Sequence, residues 1–156
     1  MRTRTQLLAI LLATGSIFLG GCASTSDNLP PVTQEQRLKA MAPWVAKGNL
    51  IVMEVPAASN LLSNQLAIAA LKAGSSSNAV DQIVQMLRSG KASTLAVMGN
   101  NQALNTATVQ AALKQWKASG AHTTVTLLLV GQPEDGPALK ESAAAAGLQL
   151  EIAAIP

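Results

Sequence analysis

One cysteine, Cys22, and one histidine, His122, are all that 156 residues contain of those two types, and the scarcity removes much of the usual site chemistry. A lone thiol closes no disulfide within the chain, so the folded part is held by packing. The same pair supplies neither a metal-ligand cluster nor a Cys/His dyad. Charged residues make up 12%, against about 25% in ordinary soluble domains. The formal net charge of +3 includes Arg2 and Arg4 at the extreme amino end, and the lysines that follow are scattered. No basic patch for a nucleic acid results. There is no uninterrupted apolar run of the roughly 20 residues that a bilayer span requires. Also missing are the G-x-G-x-x-G and Walker phosphate loops and the G-x-S-x-G nucleophile elbow. The expectation is a chain without catalytic constellation, cofactor or metal.

What is present begins with a device at the amino end. Arg2 and Arg4 precede an apolar run over residues 7–19, interrupted by Thr14, Gly15 and Ser16, and small residues lead to Cys22. A positive start, a short apolar run and a small-residue approach are the layout of a secretory signal. The stretch Leu19-Gly20-Gly21-Cys22 resembles the lipobox of bacterial lipoproteins. That resemblance implies cleavage before Cys22 after a diacylglyceryl group has been attached to its sulfur. In that family a residue other than aspartate after the cysteine, here Ala23, implies the outer membrane, with the protein facing the periplasm. Cys22 is then an anchor, its several acyl chains holding far more firmly than one. Division of the chain follows: a signal over residues 1–21, a lipidated start and tether over 22–33, and one domain over 34–156. Ser, Thr, Asp, Asn and the pair Pro30-Pro31 fill the tether, whose r.m.s. reach is roughly 20 Å. The domain is therefore kept near its membrane.

Thr33-Gln34-Glu35-Gln36 matches a capping box, and Leu38 with Met41 gives a short leading helix one apolar side until Pro43. Beyond it one design repeats. Short apolar runs over 50–55, 94–98, 125–130 and 148–155 end at Gly or Pro or close the chain, as strands buried on both faces do. Between them Leu61, Leu62, Leu66 and Ala69 space one helix face; Val80, Ile83, Val84 and Leu87 space a second; Val109, Ala112, Leu113 and Trp116 a third. A last helix covers 138–146. Gly74, Gly90, Gly120 and Gly147 stand where left-handed helix stops are needed. Asn60, Ser77 or Asn78, and Asn105 or Thr106 stand where N-caps are needed, with Pro137 at a first helical position. The order β-α-α-β-α-β-α-β after the leading helix implies an α/β fold: a small, mostly parallel four-stranded sheet with helices on both faces. Leu148, Leu150 and Ile152 alternate with Gln149, Glu151 and Ala153, which places the last strand half exposed at an edge.

Ligands of open α/β sheets bind beyond the carboxyl ends of the strands, and the polar groups there are Asn60, Asn100, Asn101, Gln132, Glu134 and Asp135. These are the candidate binding-loop residues, although Gly, Asn and Pro also simply form turns. His122 precedes a strand, on the opposite edge. Glu54, an acid near the end of an apolar strand, must reach the rim or find a partner. Trp116 is in phase with its helix's core face; Trp44 suits core, partner contact or membrane interface. The function expected is that of a non-enzymatic, outer-membrane lipoprotein, touching the membrane through its anchor and acting by docking to an envelope protein or to itself. The alternative is a small-polar-ligand domain using the carboxyl-end loops.

Overall fold

The computed structural model describes residues 32–155. The signal, the lipobox and nearly all of the tether lie outside the described residues. Helix α1 (Gln34–Val45) is started by the expected box: Gln36 N–H donates to Thr33 Oγ1, and the Gln36 side chain accepts from Thr33 N–H. It continues through Pro43 instead of stopping there, because a proline in the last turn forfeits only one backbone bond and leaves the earlier turns intact. Its inward face also differs from expectation. Met41 is buried, but Leu38 is 52% exposed and Arg37 takes the inward place. Four residues separate Arg37 from Met41, so both fall on the side facing the sheet. There Arg37 Nη1 meets Glu54 Oε1 at 3.2 Å, which answers how an acid is tolerated at the end of an apolar strand: it is paired and at the rim.

Strands β1 (Leu50–Glu54), β2 (Thr94–Met98), β3 (Thr126–Gly131) and β4 (Gln149–Ala154) form one sheet in the order β1-β2-β3-β4, parallel at every pairing. Helices α2 (Leu61–Lys72), α3 (Asn78–Ser89), α4 (Gln102–Ser119) and α5 (Gly136–Ala145) make the crossovers. With strands in sequential order and each crossover right-handed, all four helices fall on one face. The large core lies on that face, from Val80, Ile83, Val84 and Leu87 of α3 and Val109, Ala112, Leu113 and Trp116 of α4 to Leu95, Val97, Leu127 and Leu129 of the sheet. Among the described residues the opposite face is served by α1 alone, through Met41 against Ala96, Met98, Leu128, Val130 and Ala153. Helices therefore do cover both faces, four against one.

Helix ends follow the chain's glycines where the backbone turns left-handed: Gly90 at φ 59° and Gly120 at φ 62° close α3 and α4. Ser77 caps α3. The cap of α4 is Asn101, not Asn105 or Thr106, so the helix starts more than a turn earlier than its apolar periodicity suggests. The largest departure is α2. Leu61, Leu62 and Leu66 are 57%, 66% and 63% exposed, while Asn64, Ile68 and Leu71 turn inward. Asn64 points in because its carboxamide binds the preceding loop, accepting from Ala58 N–H at 2.8 Å and donating to Ala58 O at 3.0 Å. That pair of bonds fixes the helix's rotation and leaves Leu61, Leu62 and Leu66 outside.

Candidate functional site

All four strands are parallel, so the loops that follow β1, β2 and β3 share one edge of the sheet. Their polar residues have unlike fates there. Asn60 accepts from Ser63 N–H at 2.7 Å and Asn101 from Leu104 N–H at 2.9 Å; both side chains are spent on the first turns of α2 and α4. Asn100 and Glu134 are exposed, and Gln132 is half-buried without a capping bond of its own. Asp135, at the end of a single 3-10 turn (Pro133–Asp135), receives the Thr106 hydroxyl at 3.0 Å. This bond ties the loop after β3 to the start of α4. Burial pushes the Asp135 carboxyl above its ordinary value; the Thr106 hydrogen bond opposes this and the neighbouring Glu134 charge adds to it. Asp135 and the start of α4 therefore meet, whereas Asn60 belongs to the loop beyond β1. His122 is exposed in the loop before β3, at the amino edge.

Beneath these loops sit side chains that sequence reasoning did not single out as site residues. Asn105, 1% exposed, donates from Nδ2 to Gly99 O at 3.1 Å, while its Oδ1 is buried without a partner. Gly99 is glycine because of it: a Cβ there would lie 2.4 Å from Asn105 Oδ1 and 2.6 Å from Val55 O. Gln102 buries both Oε1 and Nε2 without partners, its Oε1 directed toward Gly131. The available signal was the amide-rich run from Asn100 to Asn105 itself. Periodicity assigned Asn105 a capping role, and burial instead placed it under the loop.

Among the described residues the edge has no crevice at a reversal of strand order. Open α/β sheets bind ligands where strand order reverses, and β1-β2-β3-β4 never reverses. One concavity at this edge, about 290 Å³, is lined by Pro133, Gly136, Pro137, Lys140, Ile152 and Ala154; another lies between the end of β1, α2 and the starts of α3 and α4. The latter measures about 330 Å³ and is lined mainly by Val55, Pro56, Ala67, Ala70, Leu71 and Leu104. Its polar atoms are hydroxyls, carboxamide and backbone, with no titratable side chain to serve as general base. Among the described residues no group of three or more His, Cys, Asp or Glu is placed to hold a metal ion, and no helix is long and apolar enough to cross a membrane.

A second surface is defined by α2. Leu62, Leu66 and Ala69 recur at i, i+4 and i+7 and are all exposed, forming a stripe opposite the side of Asn64, Ile68 and Leu71. The helix carries no charge before Lys72. An outward stripe of this spacing is what a helix presents when it is one side of a packed interface. No family model, curated protein or solved structure matches the chain.

Proposed function

We propose that this chain is a lipoprotein anchored through Cys22 in the outer membrane, facing the periplasm, and that it acts without catalysis by docking onto other envelope proteins. The supporting observation is the leucine stripe of α2. Full burial of one leucine contributes about 1.5–3 kcal/mol. Leu61, Leu62 and Leu66, each more than half exposed, thus keep several kcal/mol that only an interface can recover. The low charge of the surface suits such contact, since charged residues are depleted at interface cores. The test is capture of envelope proteins from solubilised membranes by the full chain, identified by mass spectrometry, beside the variant carrying Leu62→Glu and Leu66→Glu. Specific capture should fall at least tenfold in the variant. Equal recovery of the same proteins by both would sink the proposal.

A second reading is favoured by Gln102, whose buried carboxamide lacks partners beside Gly131. Buried polar groups are ordinarily satisfied, and a small polar ligand at the carboxyl edge would satisfy this one. A metabolite that raises the melting temperature of wild type but not of Gln102→Leu would favour it.

A further inference from the structure

Strand β1 has the composition of a central strand and the position of an edge strand. Leu-Ile-Val-Met over residues 50–53 contains no charge or proline, yet among the described residues β1 pairs only with β2. Exposed edges are normally guarded against further pairing by charge, proline or a bulge. The other edge, β4, follows that rule with exposed Gln149 and Glu151; β1 leaves Val52 42% exposed and offers only Glu54 at its end.

Register decides what the open edge fits. Thr94 N–H donates to Asn49 O at 3.3 Å and Val55 N–H to Met98 O at 2.7 Å. In a parallel ladder alternate residues bond to the same neighbour, so residues 49, 51, 53 and 55 face β2. The N–H and C=O groups of Leu50, Val52 and Glu54 point out of the sheet, symmetrically about Val52. A second β1 laid antiparallel and centred on Val52 therefore pairs Leu50 with Glu54, Val52 with Val52 and Glu54 with Leu50. Each pair exchanges both of its backbone hydrogen bonds. Glu54, the one charged side chain of the strand, is already paired with Arg37 of its own chain at 3.2 Å, so no unpaired charge opposes the approach of a second strand along residues 50–53.

We infer that the occupant of this edge is a second copy of the chain, giving a two-fold dimer with one continuous sheet. Its axis stands perpendicular to the sheet, so both α1 helices, and with them both residues 33 from which the tethers depart, lie on one face. Two copies held in the same membrane by those tethers are both accommodated by that arrangement, since the tethers leave from the side that the proposed anchors would share. The inference deepens the docking reading and rests on it for its purpose; the pairing surface, β1, is separate from the leucine stripe of α2.

The experiment uses the full chain in its own membranes. Val52→Cys should yield a disulfide-linked dimer on mild oxidation, because hydrogen-bonded antiparallel residues have Cα atoms about 5.5 Å apart, within disulfide range. Glu151→Cys on β4 and the wild-type chain should not. Val52→Pro removes an N–H that faces away from β2 and so leaves the ladder intact; after detergent extraction it should show half the wild-type protein mass with unchanged circular dichroism. If that variant loses its circular dichroism, the Val52→Cys cross-link decides alone. Absence of the cross-link, or a folded Val52→Pro protein of dimeric mass, overturns the inference. Loss of capture by the α2 variant with the cross-link retained supports two separate surfaces. Undiminished capture by that variant, with the cross-link retained, defeats the α2 reading and leaves self-pairing standing.

Discussion

At the scale of single residues, the carboxyl edge is a set of amides and carboxyls used to hold loops. Gly99 is the most constrained position among them, since a methyl group there would collide with Asn105 Oδ1 and with the backbone oxygen of Val55. The backbone oxygen cannot swing aside as a flexible side chain can. Gly99→Ala should therefore cost about 1–3 kcal/mol, visible as a lower midpoint in thermal or urea unfolding; an unchanged midpoint would show that the loop yields freely. Asp135 makes a pH prediction. Its folded carboxyl binds a proton more tightly than it does in the unfolded chain, so folding is favoured at low pH and the advantage fades as pH rises from about 4 through the raised value. Asp135→Asn keeps an oxygen for the Thr106 hydroxyl and removes the charge that burial penalises. Its melting temperature should exceed wild type at pH 7 by more than at pH 4, and the reverse ordering would contradict the assigned cause.

At the scale of elements, α2 and α3 show what periodicity can and cannot decide. The two are neighbours in the same crossover. Val80, Ile83, Val84 and Leu87 of α3 were legible as a core face and are buried, because the apolar residues occupy one side and polar residues the other. In α2 apolar residues occur all around, so spacing alone offers more than one inward face. The choice fell to Asn64 and its two bonds to Ala58. It follows that the Leu62→Glu and Leu66→Glu changes fall on the solvent side and should leave the melting temperature within about 1 kcal/mol of wild type, which separates lost docking from lost folding. In α1 the same logic worked against Leu38: an ion pair with Glu54 drew Arg37 inward and took the helix's rotation with it.

At the scale of the whole molecule, the one-sided winding of the sheet leaves much of one face to α1 and one edge to β1. The proposed anchor sets how that body meets its surroundings. Cys22→Ser should leave unprocessed precursor and abolish lipid labelling, measured by radiolabelled palmitate and membrane fractionation. Normal processing with a wild-type membrane fraction would overturn the lipoprotein proposal. A tether of about a dozen residues tolerates modest change in length, since closure entropy grows only slowly with loop length, so the anchor restricts distance more than orientation.

The sequence by itself determined the element order, the inward faces of α3 and α4 and a mostly parallel sheet, because Gly and Asn at helix ends and apolar runs between them are local signals. Val80, Ile83, Trp116, Gly90 and Gly120 each behave as local chemistry dictates. Strand order, the outward turn of α2, the burial of Arg37 and Asn105 and the open side of β1 were decided only in three dimensions. Each depends on how elements fold back on one another or on which strand lies beside which: Arg37 on Glu54, Asn105 on the backbone of Gly99, Val52 on having β2 at one side and, among the described residues, no strand at the other. A run of apolar residues states that a strand can be buried; only the assembled sheet states whether a neighbour is there to bury it.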